Sequence, residues 1–478
     1  MVSRFLTVLV AATICLPCGL ARSDAAPSVD EAAAALRKAA DFYRNEVSTE
    51  GGYLWRYSAD LARREGEGKT DASTVWVQPP GTPSVGSAFL DVYRLTGDRY
   101  YLGMAKDAAH ALVKGQLESG GWGYLIRFDP SKRLEHAYRV PPHDPDKDNT
   151  TTLDDNTTQA ALRLLMQVDL SLDFKDEVIH EAALYALKKL LDAQYPNGAW
   201  PQRFTCSPDP AAYPVKKAAY PESWSRTRVR GDYGAYYTFN DNVISDMVTT
   251  MFEAAEVYGD KRYAAAAVKA GEFILLAQMP DPQPAWAQQY DADMHPAWAR
   301  KFEPPAVTGG ESHNVMRTLI YLYHQTGDGR YLESVQRALT YLKASTLPDG
   351  QLARFYELET NTPLYFTKDY QLTYSDADMP THYSLKIGSA LDGIEQALEA
   401  ARKSGPVKPG ARVKKPPRMT PKLAAEVRAA IEAMDGRGAW VEPGKLRYHG
   451  DDDPAASIID SGTFIRNVRI LAQYIAGS

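Results

Sequence analysis

Apolar positions recur at helical spacing through most of the chain. Ala109, Leu112 and Val113 fall on one face of a helical wheel, as do Leu184, Leu187 and Leu191. The apolar runs are punctuated by a repeated turn. Leu95-Thr-Gly97-Asp98 leads into Arg99-Tyr-Tyr-Leu102, Val257-Tyr-Gly259-Asp260 into Lys261-Arg-Tyr263, and Gln325-Thr-Gly327-Asp328 into Arg330-Tyr-Leu332. Glycine tolerates the left-handed angles that end a helix, and the Asp that follows caps the next one. Each second helix runs into a loop marked by Trp or Gly: Gly120-Gly-Trp122, Ala285-Trp286, and Pro348-Asp-Gly350. Residues 160–200 read as a degenerate copy, 31–55 as a half copy and Gly438-Ala-Trp440 as a terminal one. The unit is therefore a helical hairpin plus an aromatic loop, repeating every roughly seventy to ninety residues. Such hairpins stack in a line or close into a ring, and the pattern alone does not choose.

Three stretches break the repeat: polar residues 141–152, an insertion at 207–232 rich in Pro, Tyr, Lys and Arg, and a basic Pro-rich stretch at 403–422. The last reads as a linker or surface strap. Beyond it, 421–435 and 459–475 are amphipathic and expected to be helical, either completing a ring or forming a small appendage. At the other end, Arg4 followed by the apolar run Phe5–Leu16 reads as a signal peptide, cleaved after Ala21 or Ala25. Leu16-Pro17 before Cys18 argues against a lipoprotein. The expected organisation is a signal peptide (1–25), a catalytic helical body (26–402), a linker (403–422) and C-terminal helices (423–478), with a secreted or periplasmic address. Cleavage removes Cys15 and Cys18, so Cys206 has no internal partner.

Lys plus Arg is 54 against 60 Asp plus Glu, a net charge of −6, which gives no bulk basicity for nucleic acid. No apolar run after the signal is long enough for a membrane helix. There is no His-Glu-x-x-His, Cys pair, Gly-x-Ser-x-Gly or phosphate loop. The chemistry concentrates elsewhere. Ala199-Trp-Pro-Gln-Arg-Phe204 sets an aromatic plate, an amide and a cation beside a turn. Asn240-Asp-Asn242 opens a helical run, and so does Asp154-Asp155-Asn156. Each acidic group has a capping use. In a ring the two loops converge on one rim, where paired carboxylates suit Ca²⁺. Trp122, Trp200 and Trp286 are either sugar platforms or core plugs. Arg203, Arg354 and Lys386 are candidates for substrate carboxylates, with Gln202 and Asn240 beside them.

Five blocks occur in order: Asn197-Gly-Ala-Trp-Pro-Gln202, Thr238-Phe-Asn-Asp-Asn242, Trp286-Ala-Gln-Gln-Tyr-Asp291, Phe302-Glu-Pro-Pro, and Gly309-Gly-Glu-Ser312. Together they resemble the family-ten pectate lyases (pectic acid lyases) over about Leu153–Leu358. The resemblance implies an all-α toroid of helical hairpins with few or no strands, Ca²⁺ dependence, and β-elimination on polygalacturonate by a monomer. It places the acidic Ca²⁺ residues on Asp241 and Asp155, with Asp154 the alternate, and the general base on Arg300, with Arg317 the rival. On such a substrate, the expected contacts are Trp200, Gln202, Arg203, Asn240, Arg354 and Lys386. Met379-Pro-Thr-His-Tyr383 departs from the aromatic segment usual in the family, which bears on specificity. Two other readings stand: an inverting glycoside hydrolase using paired Asp, and an inactive carbohydrate-binding homologue.

Overall fold

A computed structural model describes residues 26–407, 418–450 and 453–477. The expected signal peptide and residues 408–417 of the Pro-rich stretch lie outside the described residues. Twelve helices of 12 residues or more are present among them: α1 (Val29–Phe42), α2 (Thr82–Thr96), α3 (Arg99–Lys114), α4 (Thr157–Ser171), α5 (Glu177–Asp192), α6 (Val243–Tyr258), α7 (Lys261–Leu276), α8 (Gly309–Thr326), α9 (Arg330–Ala344), α10 (Leu391–Ser404), α11 (Pro421–Glu432) and α12 (Ser461–Ala476). None is long and apolar enough to cross a membrane.

The expected Gly-Asp turns are present. Gly97, Gly259 and Gly327 end α2, α6 and α8 at φ +75°, +68° and +79°. Asp98 and Asp260 then accept the amides of Tyr100 and Arg262, and Asp328 accepts that of Arg330. These turns fold the chain into hairpins α2/α3, α6/α7 and α8/α9, and a connection without glycine, Leu172–Asp176, does the same for α4/α5. The first helix of each hairpin packs on the first of the next, so α2, α4, α6, α8 and α10 form an inner row. At its other end α12 packs on both α2 and α1. A C-terminal helix thus completes the hairpin that α1 begins. α11 packs on α12, and α10 on α8 and α9, whereas α10 and α11 share no extensive contact. The inner row and α12 line an open cavity of about 1040 Å³, with charged and aromatic side chains such as Arg94, Arg163, Glu253, Tyr321 and Arg469.

Neighbouring hairpins are stitched by a repeated device at the ends of α3, α5 and α7. The Gln116, Gln194 and Gln278 amides each donate twice. One bond goes to the carbonyl of Gly120, Gly198 or Pro284 in its own loop, the other to Ala182, Ala266 or Ser334 on the next outer helix. The loops press close: at Gly198, φ +98°, a Cβ would lie 2.1 Å from the Lys269 carbonyl oxygen.

The expectation of few or no strands is overturned. A five-stranded sheet joins 441–443, 457–460, 56–58, 64–65 and 69–70, and a four-stranded one joins 307–308, 355–356, 363–366 and 372–373. The reason lies in burial. Each aromatic loop is packed away from water, so its backbone groups need partners. They find them in the segment ahead of an inner helix: 74–76 pairs with 125–127, 151–152 with 203–204, and 237–238 with 289–290.

Candidate active site

These short ladders repeat to the residue. Val77, Leu153 and Phe239 donate their amides to the carbonyls of Tyr124, Gln202 and Gln288. Gln78, Asp154 and Asn240 follow them and stand at equivalent rim positions. In two of the three copies the backbone then turns left-handed for two consecutive residues, Asp155 (φ +50°) with Asn156 (φ +57°), and Asp241 (φ +46°) with Asn242 (φ +63°). Neither turn makes a side-chain cap to the helix it precedes. The capping reading is therefore overturned at both places. Non-glycine residues in this region cost on the order of 1–3 kcal/mol each and persist at functional sites.

The left-handed turns bring three carboxylates together. One oxygen from each of Asp154, Asp155 and Asp241 lies within 4.8 Å of the others. Burial raises the Asp241 carboxyl, and the neighbouring charges of Asp154 and Asp155 raise it further, to about 8. Burial, then Asp154 and Glu67, lift Asp155 to about 6. Polar side chains hold the cluster from outside. Gln78 donates to Asp155 at 2.9 Å, Tyr124 to Asp154 at 2.9 Å, and Asn240 to Asp241. The Asp154 Oδ1 and Asn156 Oδ1 atoms are buried without a protein partner. Ca²⁺ takes oxygens at about 2.3–2.6 Å, so ligands on opposite sides stand up to about 5 Å apart. The spacing, the orphaned oxygens and the crowding of three carboxylates all fit a hard divalent cation.

Arg300 sits close enough for its charge to act on both Asp155 and Asp241. It forks onto Glu303, Nε to Oε2 at 2.8 Å and Nη2 to Oε1 at 2.5 Å, leaving Nη1 uncommitted. Burial pulls the guanidinium pKa down, but the Glu303 fork outweighs it and holds Arg300 firmly cationic. Glu303 is buried and is held in turn by Gln288 at 2.6 Å and Tyr383 at 3.3 Å. The Tyr383 ring lies 5.8 Å from the Arg300 guanidinium and 4.6 Å from that of Arg354. Arg354 is tied to Glu311 at 2.9 Å. Arg203 approaches Asp154 and Tyr124 at 3.4 Å. Asp154, Asp155, Asp241, Arg203, Arg300 and Arg354 are thereby placed around one end of the inner row.

The rest are placed otherwise. Arg317, exposed on α8, reaches the rim only through Asn314, which donates to Asn242 at 2.5 Å. Lys386 is committed to Asp349 and Asp376, away from the carboxylates. Asn240 is buried between Asp241 and Gln288, where it aims the carboxylate. Gln202 is buried with Oε1 unpartnered. Trp200 is fully buried and donates to the Leu190 carbonyl at 2.8 Å, so the sugar-platform reading is overturned for it. Trp122 and Trp286 do the same with Leu112 and Ile274, each plugging the end of its outer helix. Sequence reasoning missed Gln78, Tyr124 and Gln288. A signal existed: Tyr124 stands two residues after its Trp, as Gln202 and Gln288 do after theirs.

Residues 124–351 match the pectic acid lyase family. No curated protein sequence matches the chain. Among solved structures, a mutant family 10 polysaccharide lyase from Cellvibrio cellulosa in complex with trigalacturonic acid is similar at 21% identity and a TM-score of 0.46, covering 68% of this chain and 98% of that one. The unmutated family 10 lyase from the same organism has 22% identity and a TM-score of 0.46, over 62% and 90% of the two chains. A D-mannose isomerase has 14% identity and a TM-score of 0.43, over 94% and 98%.

Proposed function

Starting from a pectic acid lyase region at residues 124–351, we propose that this chain is an exported, Ca²⁺-dependent pectate lyase that cleaves polygalacturonate by β-elimination. The observation that carries the reading is the three-carboxylate cluster within the field of Arg300. We read the hairpins as an α/α toroid whose seam falls between α10 and α11. Asp154, Asp155 and Asp241 would hold the cation at the end of the inner row. When bound, the cation neutralises a uronate carboxylate and so makes the adjacent C5 proton acidic. Arg203 and Arg354 pair with uronate carboxylates, for which the guanidinium fork is suited.

Elimination removes the C5 proton, forms the C4=C5 double bond and breaks the C4–O bond, with the departing oxygen taking a proton. Arg300 is the base in this reading, acting through Nη1. Its fork to Glu303 aims the side chain but opposes deprotonation. Proton loss therefore requires the extra positive field of a loaded site. Arg300 ranks above Arg317 because its charge reaches both Asp155 and Asp241. An inverting hydrolase needs its two carboxyl groups about 6.5–9.5 Å apart to fit a water. The tight cluster here suits cation binding better.

The deciding experiment measures ultraviolet absorbance of products from polygalacturonate with Ca²⁺ and with EDTA. A rise only with Ca²⁺ is expected, because elimination leaves a conjugated double bond. New reducing ends without that absorbance would mean hydrolysis, and neither signal would return the chain to a binding role.

A further inference from the structure

The insertion at 207–232 follows the strand Arg203-Phe204, contacts residues 293–299, and leads back into the strand at Tyr237. It is anchored by paired backbone contacts, with the Ala218 and Ala219 amides donating to Leu276 and Met294. Farther on, its contacts converge on the residues just before Arg300. The Trp298 indole donates to the Ser225 carbonyl at 2.8 Å, and Arg228 Nε donates to the Ala299 carbonyl at 2.8 Å. Between those two bonds, Arg226 pairs with buried Glu357 and donates to the Tyr374 hydroxyl at 3.0 Å. Tyr374 itself donates to Glu357 at 3.1 Å. The insertion and Tyr374, five residues ahead of the divergent 379–383 segment, thus meet on one carboxylate.

We propose that the insertion is a splint for the Arg300 loop, with Trp298 and Arg228 as positioning residues and Arg226–Glu357–Tyr374 as its anchor. This rests on the lyase reading for its kinetic part only. The loop needs an external brace. Its own closure is a short turn, Ala299 amide to Glu303 carbonyl at 3.2 Å and Glu303 amide to Arg300 carbonyl at 3.0 Å. The fork between Arg300 and Glu303 keeps its aim only while that turn holds. A misplacement of about 1 Å at a reacting group costs on the order of 10²-fold in rate. From the insertion, the Ser225 carbonyl holds the Trp298 side chain and Arg228 holds the Ala299 backbone, the two residues that lead into the turn.

The test combines hydrogen exchange of the 295–305 segment with kinetics on polygalacturonate, in wild type, Arg228→Ala, Arg228→Lys, Trp298→Phe and Lys216→Ala. Lys216 belongs to the same insertion but makes only an exposed ion pair with Asp293. Expected for Arg228→Ala and Trp298→Phe is at least ~10-fold faster exchange at the 299–303 amides. kcat should fall about tenfold with KM changed less than about twofold. Arg228→Lys should recover part of both, and Lys216→Ala should match wild type. Unchanged exchange, a rise in KM with kcat retained, or an equal loss in Lys216→Ala would each overturn the splint. Should the wild type show no eliminase activity, the lyase reading fails, and the exchange measurement still decides the splint by itself.

Discussion

Asp155 and Asp241 are costly residues: each combines left-handed backbone, burial and like charge, and the Arg300 charge that reaches both only partly offsets these. Removing one should relieve strain and repulsion while destroying the proposed cation site. Asp241→Asn is therefore expected to melt in EDTA at or above the wild-type temperature, by up to about 4 °C, yet to lose Ca²⁺ stabilisation and most activity. Paired melts with and without Ca²⁺ check this. A pH dependence follows from the same groups. Both carboxyls are raised from the ordinary range near 4, to about 6 and about 8, so the folded state holds more protons than the unfolded state between those values. In EDTA, stability should fall as pH rises from about 4 to about 8, and the stabilisation conferred by Ca²⁺ should grow over the same window. For Arg300, Arg300→Ala and Arg300→Lys should lower kcat by roughly two decades or more at nearly constant KM, since a base acts in the transition state. A carboxylate clamp would raise KM instead, and steady-state kinetics at saturating Ca²⁺ separates the two. Asp155 and Asp241 were legible as acidic groups ahead of successive helical runs, whereas Arg300 lies in none of the five matching blocks and was reached through the family resemblance. Gln78 and Tyr124 were not, because an amide and a phenol become site residues only through the carboxylate placed opposite them, far off in sequence.

At the scale of elements, the turns were legible and the ladders were not. A Gly-Asp stop-start is local chemistry, complete within four residues. A two-residue strand carries no period, and whether it forms depends on which loop is buried beside it. Trp200 shows the same limit: Gly-Ala-Trp-Pro reads alike for a sugar platform and for a plug, and only the Leu190 carbonyl above its indole decides. Trp200→Phe should therefore cost about 1–3 kcal/mol by stranding that carbonyl and shrinking the plug, with KM unchanged. Urea melts and kinetics on the same samples test both halves. Gly198→Ala should be worse, since a Cβ there meets the Lys269 carbonyl on a backbone that L-residues avoid.

The whole molecule depends on its last helix. α12 carries Phe464, Val468 and Leu471, all buried, and its Arg469 pairs with Asp91 on the adjoining α2 at the cavity wall. Truncation before Ser457 should leave an insoluble or unfolded chain, whereas a detachable appendage would leave a folded, active remainder; circular dichroism and solubility distinguish them. This dependence was only half legible, because amphipathic spacing predicts the helix and not its partner. One hairpin is shared between the two ends of the chain, and the Tyr474 hydroxyl donates to the Pro27 carbonyl at 2.6 Å. Sequence order and spatial order therefore disagree at this one place. Splicing residue 477 to residue 26 by a short peptide and reopening the chain between α10 and α11 would give a circular permutant in which every hairpin is contiguous.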